Sequence, residues 1–133
     1  MLLDLQRATH ATLHLLTTEL ADLDLTASEI NALGNLADGE SRTVSRLGAD
    51  VGAKPATLTG ILDRLERRGL ITRGVRQGDR RAVLIRLTAA GLETAGVIGE
   101  ALRELERRAL ADLPPASVVA ARAVLHALTE AAR

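Results

Sequence analysis

The sequence predicts a mainly α-helical fold, a winged helix-turn-helix with a two-stranded β wing, flanked by long N- and C-terminal helices. Three observations carry this. Aliphatic residues recur at steps of three and four over both ends of the 133-residue chain. In the middle, two short helical patterns are joined by a tight turn containing Gly52, with Pro55 just after it. Directly behind them the period changes to two on either side of a Gly- and Arg-rich stretch, the pattern of a hairpin.

The first helix is expected from residue 2 to about 23, with leucines at 2, 5, 13, 16, 20 and 23 on one stripe. Thr26-Ala27-Ser28-Glu29 has capping-box spacing and opens a second helix built on Ile30, Leu33 and Leu36, which Asp38-Gly39 ends. A third helix follows Ser41 or Thr43 and puts Val44, Leu47, Gly48 and Val51 on one face; Gly48 lets the next helix approach closely. That fourth helix has Pro55 in its first turn, where a missing N–H costs nothing. It buries Leu58, Ile61, Leu62 and Leu65 and stops at Gly69.

Residues 70–73 and 82–87 read as strands, the second with Val83, Ile85 and Leu87 on one face, and 74–81 form the tip between them. Thr88 caps a fifth helix carrying Leu92, Ala95, Ile98, Leu102, Leu105 and Ala109. Pro114-Pro115 breaks the chain, and a sixth helix uses Val118, Ala121, Leu125 and Leu128. A lone protomer has little central mass to cover the stripes of helices one, five and six, so two copies are expected to share them. The chain then divides, within one continuous domain, into a dimerisation helix at 1–25, a winged helix-turn-helix at 26–91 and C-terminal dimerisation helices at 92–133.

Composition narrows the chemistry. Without Cys there are no disulfides, thiolate zinc ligands or thiol nucleophiles, and no thiol redox sensing. Without Phe, Trp or Tyr, stacking of single-stranded bases on aromatic rings is excluded. No apolar run has membrane-spanning length, and Asp4 before Arg7 does not read as a signal peptide, so a cytoplasmic protein away from the membrane is expected. There are 17 cations and 17 anions, but they are segregated. Between Arg42 and Arg86 stand eleven cations and only Asp50, Asp63, Glu66 and Asp79 against them. Such a basic module between acidic arms points to a polyanion, with ordinary charge scatter as the plainer alternative.

No Ser-His-Asp arrangement, phosphate-binding glycine loop or carboxylate dyad stands out, so neither catalysis nor a cofactor is expected. His10 and His14 lie one helical turn apart, a two-ligand metal spacing, with His126 in the last helix. Zinc would need further ligands and Cys is absent, so no metal site is assigned; the histidines fit an interface or a ligand pocket.

Residues 79–91, Asp-Arg-Arg-Ala-Val-Leu-Ile-Arg-Leu-Thr-Ala-Ala-Gly, resemble the wing-to-helix signature of the MarR family of bacterial winged helix-turn-helix regulators. Residues 62–71, from Leu62-Asp63-Arg64-Leu65-Glu66 through Gly69-Leu70-Ile71, are similar to the end of that family's recognition helix and its first wing strand. The resemblance covers about 43–91. Two positions depart from it: Lys54 stands where the family usually has a small hydroxyl cap, and Gly60 where a polar or basic residue is common. It implies a homodimeric DNA-binding transcriptional regulator on a pseudo-palindromic operator. It further implies a repressor released by a small, often aromatic or lipophilic effector, and some such relatives respond to zinc, which would here use His10 and His14. A winged-helix dimer that binds proteins rather than DNA is the rival reading.

The residues placed at duplex DNA are Arg42 and Thr43 ahead of the third helix, and Lys54, Pro55, Ala56, Thr57, Thr59, Gly60 and Arg64 on the fourth. Small and hydroxylated residues near the helix start suit close approach to base edges, and Arg64 farther along suits phosphate. In the wing, Arg76, Arg80 and Arg81 surround the tip, and a cation on a thin hairpin can enter a minor groove. The resemblance implies that Arg81 contacts DNA; a brace to Asp63 or Asp79 is the alternative. His10, Thr12 and His14 are expected as polar handles of an otherwise aliphatic effector pocket.

Overall fold

The computed structural model describes residues 1–76 and 78–132, apart from the side chains of Arg76, Asp79, Arg80 and Arg81. Two compact units divide at Leu102. The first contains α1 (Leu2–Glu19), α2 (Ala27–Asn35), β1 (Arg42–Thr43), α3 (Val44–Val51), α4 (Pro55–Arg67), β2 (Ile71–Arg76), β3 (Asp79–Leu87) and most of α5 (Ala89–Ala109). The second contains the end of α5 and α6 (Pro115–Ala131).

Helix boundaries follow local chemistry. Thr26 caps α2 by accepting from the Glu29 N–H (3.2 Å), and Thr43 caps α3 by accepting from the Arg46 N–H (3.1 Å). The α-helical part of α1 ends earlier than the leucine stripe predicts. It stops at Glu19, a 3-10 turn spans Ala21–Leu23, and Asp24 takes a left-handed conformation (φ 51°) that turns Leu25 into the core. Carbonyls exposed by that turn are met from a distance, because Arg68 at the end of α4 donates to Leu23 O (2.8 Å) and to Asp24 O.

The core of the first unit is almost wholly aliphatic. Leu33 of α2 and Leu36 just after it, Leu47 of α3, Leu58, Ile61, Leu62 and Leu65 of α4, Ile71, Ile85 and Ile98 are buried together. Gly48 matters for this packing: a Cβ there would stand 3.1 Å from Leu58 Cδ2, so its smallness sets how closely α3 meets α4.

The sheet has three antiparallel strands in the order β1-β3-β2. The two-residue β1, pairing Arg42 with Ile85 and Thr43 with Leu84, is an element the sequence reading lacks; two residues are too few to show alternation. The wing strands also run farther toward the tip than predicted. Val75 pairs with Val83 and, across an irregularity, Arg76 with Asp79, because a backbone ladder needs no apolar side chains to continue. Ile85 is buried while Val83 on the same face is exposed, so the hairpin leaves the core between them.

The Thr88-to-Gly91 segment locks the wing to α5. Thr88 Oγ1 donates to Gly69 O (2.6 Å) and accepts from the Gly91 N–H (3.0 Å), while the Thr88 N–H donates to Leu70 O (3.1 Å). A Cβ at Gly91 would lie 1.8 Å from Leu70 O. Only glycine fits there, which gives the Leu-Thr-x-x-Gly spacing its physical meaning.

Taken alone, α6 buries no residue, and Val119, Val124 and Leu125 are exposed on it. In α1 only Leu16 is buried, and Leu2 and Leu3 are exposed.

Candidate nucleic-acid interface

Helix α4 is amphipathic by position. Pro55 sits in its first turn after Lys54, whose side chain makes no capping bond, and Leu58, Ile61, Leu62 and Leu65 fasten one side to the core. The opposite side leaves Lys54, Pro55, Ala56, Thr57 and Thr59 exposed and Gly60 half-buried, as the sequence predicts. Thr59 spends its hydroxyl proton within the helix, donating to Pro55 O at 3.0 Å. A helix with an exposed, small, hydroxyl-bearing start matches what a major groove admits.

Several arginines of the basic module already hold carboxylates. Arg42 engages Asp38 and is mostly covered, while Thr43 beside it caps α3. Arg46 Nε donates to Asp50 at 3.1 Å. Arg64 Nε donates to Glu29 Oε1 at 2.8 Å, joining α4 to α2. Arg73 on β2 bridges two turns of α4, its Nε on Glu66 Oε2 and its Nη2 on Asp63 Oδ1, both at 2.7 Å. Glu66 first and Asp63 second raise the pKa of Arg73 above its ordinary value.

The arginine seen bracing the wing through Asp63 is thus Arg73, a residue to which the sequence reading gave no role. Glu29 and Arg68 were likewise missed. Glu29 reads as half of a capping box, yet its carboxylate turns to Arg64 rather than back to Thr26. The signals for Arg73 were present: Asp63 and Glu66 are three apart on one helix face, and Arg73 lies four residues past the Gly69 stop.

In the wing, β2 and β3 bring the backbones of Arg76, Arg80 and Arg81 to the hairpin end. Their side chains, including the choice between a groove contact and a brace for Arg81, lie outside the described residues. His10, Thr12 and His14 are exposed along α1, with the Thr12 hydroxyl donating to Ala8 O at 2.8 Å. Among the described residues no group of three His, Asp or Glu side chains could hold a metal ion, and no helix is long and apolar enough to cross a membrane.

Residues 25–83 match the sequence model of the MarR family. The organic hydroperoxide resistance transcriptional regulator of Bacillus subtilis (strain 168) is 40% identical over 72 residues, 54% of this chain and 49% of that protein. This chain therefore spans about half the length of the curated relatives it matches. Among solved structures, a Staphylococcus aureus MepR–DNA complex superposes with a TM-score of 0.77 at 22% identity, over 97% of this chain and 95% of the other. NadR in complex with 4-hydroxyphenylacetate superposes with a TM-score of 0.83 at 24% identity, over 96% and 89%. At those identities the shared property is the fold.

Proposed function

Residues 25–83 match the sequence model of the MarR family, and on that premise we propose that this chain is a MarR-family, ligand-responsive transcriptional regulator that binds a pseudo-palindromic DNA operator as a homodimer. Two observations support the proposal: the small-residue start of α4 is exposed, and a hairpin whose end holds Arg76, Arg80 and Arg81 follows that helix directly in the chain. The helix would read bases from the major groove while the wing arginines reach the backbone or the minor groove. Arg42 and Thr43 are assigned to the same DNA contact, and both also hold the fold together. The exposed aliphatic residues of α1 and α6 support a second copy as their cover. Repression in the cytoplasm is the mode proposed.

The signal is a small molecule rather than an oxidant. The curated relative carries hydroperoxide resistance in its name, but these 133 residues contain no Cys, and their one Met is residue 1. No buried thiol or thioether here can record a hydroperoxide. A pocket in an aliphatic protein of this kind suits an apolar or weakly acidic ligand, with His10, Thr12 or His14 as polar handles. The ligand held by NadR, 4-hydroxyphenylacetate, is of that class.

Binding to DNA flanking the chain's own gene, measured at two salt concentrations, tests the reading. Thr57→Val keeps shape and removes a hydroxyl, so it should alter preference among base substitutions. Arg81→Ala should weaken all sequences and lower the salt slope by about 0.9 per lost phosphate contact. A wild-type protein that binds no duplex above background refutes it.

A further inference from the structure

Glu29 is the charged side chain buried among the described residues, 4% exposed. A buried ion pair stabilises poorly, because removing two charges from water offsets most of their attraction and an apolar pair of equal volume does as well. The burial is also one-sided: the carboxylate side chain is 5% exposed and that of Arg64 is 46% exposed. The anchor is inside and the cationic head is at the surface, with its direction fixed through Nε at 2.8 Å.

Arg64 continues the stripe of α4 that carries Thr57 and Gly60, in steps of three and four. Long helical side chains lean toward the N-terminus, so Arg64 passes over Gly60. A Cβ at Gly60 would meet only Arg64 Nη1, at an ordinary 3.5 Å. At Gly91 the Leu70 backbone leaves no room and at Gly48 Leu58 would be crowded; Gly60 has no such internal reason, and a glycine inside a helix weakens it. The space a side chain would fill there is left to the Arg64 guanidinium and to anything approaching from outside.

We propose that Glu29 is a positioning residue for sequence reading. By holding Arg64 in one orientation over the bare surface of Gly60, it makes that guanidinium a fixed donor pair for a base edge in the major groove instead of a mobile charge for phosphate. The matching chemistry is guanine, whose O6 and N7 accept bidentately from an arginine. This rests on the DNA-binding function proposed above.

Glu29→Met is the informative variant. It fills the same buried space and strands no charge, since Arg64 is half in water. Glu29→Gln keeps the shape and an acceptor oxygen, and Arg64→Lys keeps the charge without the planar fork. Each protein is put through selection from a randomised duplex DNA pool, with melting temperature and salt slope measured alongside. The wild-type motif should contain a G·C pair in each half-site. Glu29→Met and Arg64→Lys should reduce preference at that pair about tenfold or more, with the other positions, the salt slope and the melting temperature kept. Glu29→Gln should retain the preference. An unchanged motif in Glu29→Met or in Arg64→Lys overturns the proposal, as does a uniform loss at every position with lowered melting, which would make Glu29 purely structural. A wild-type protein that enriches no motif removes the DNA-binding function itself, and this proposal with it.

Discussion

Replacing Gly91 with alanine adds one methyl group at the point where α5 meets Leu70, between α4 and β2. That methyl would lie 1.8 Å from Leu70 O and 2.9 Å from Leu70 C, against an ordinary carbon–oxygen contact of about 3.3–3.6 Å. Relief requires α5 to move by about 1.5 Å or more relative to Leu70. Such a shift disrupts the Thr88 bonds to Gly69 O (2.6 Å) and Leu70 O (3.1 Å). Two hydrogen bonds are worth about 1 kcal/mol each, and overpacking costs about 1–3 kcal/mol. Helix propensity returns roughly 0.5–1 kcal/mol, leaving a net loss of about 3 kcal/mol. With an unfolding entropy near 2.1 cal/mol/K per residue, the midpoint should fall by about 10 °C. Thermal melts by circular dichroism, at one protein concentration, measure this. Gly60→Ala is the control: the same methyl meets only Arg64 Nη1 at 3.5 Å and should raise stability by roughly 0.5–1 kcal/mol. If Gly91→Ala melts within about 2 °C of wild type, the reasoning from close approach is wrong.

Three further outcomes follow from the same geometry. Arg73→Gln removes the bonds to Glu66 and Asp63 (each 2.7 Å) and should cost about 1 kcal/mol while speeding amide exchange in β2; unchanged protection over Ile71–Arg76 would contradict a bracing role. The pKa of Asp38 is lowered, first by the Glu40 N–H and then by Arg42, so its charged form favours the folded state. Asp38→Asn should therefore cost up to about 1 kcal/mol at neutral pH, a deficit that disappears as the pH falls below the ordinary carboxylate range; a deficit persisting in acid denies the charge its part. Leu125→Asp, on a helix that buries nothing of its own, should convert a dimer to monomer in sedimentation at micromolar concentration, and a native chain already monomeric there would refute shared helices.

Elements with strong periodicity or a specific punctuating residue were legible in the sequence. The Thr26 and Thr43 caps, Pro55 and the apolar stripe of α4 each have a local cause that a single segment displays, whereas the Leu-Thr-x-x-Gly junction was legible through the resemblance, its cause being the approach of Leu70 to Gly91. The end of α1 was less legible, because its last turn is decided by Asp24 and by Arg68, 44 residues away. Strand β1 was illegible, since Arg42 and Thr43 pair only because β3 passes beside them. At the candidate interface the exposed face of α4 could be read from the stripe it opposes. The partners of its arginines could not, since which carboxylate an arginine finds depends on how helices cross.

That limit changes the meaning of the basic module. Counting eleven cations between Arg42 and Arg86 treats them alike, whereas Arg42, Arg46, Arg64 and Arg73 hold carboxylates and Arg68 holds two carbonyls. Composition supplies a physical reason. A chain without Phe, Trp or Tyr lacks the large side chains that usually span gaps between elements. Arginine is the remaining long, partly apolar side chain with a head that fastens at a distance. Here it joins α4 to α2 through Glu29, to the turn after α1 through Leu23 and Asp24, and to β2 through Asp63 and Glu66. Net charge is therefore a poor guide to the number of phosphates this surface can neutralise. A salt slope smaller than the count of cations suggests is the expected consequence, with Lys54 and the hairpin arginines carrying most of it and the braced arginines contributing geometry.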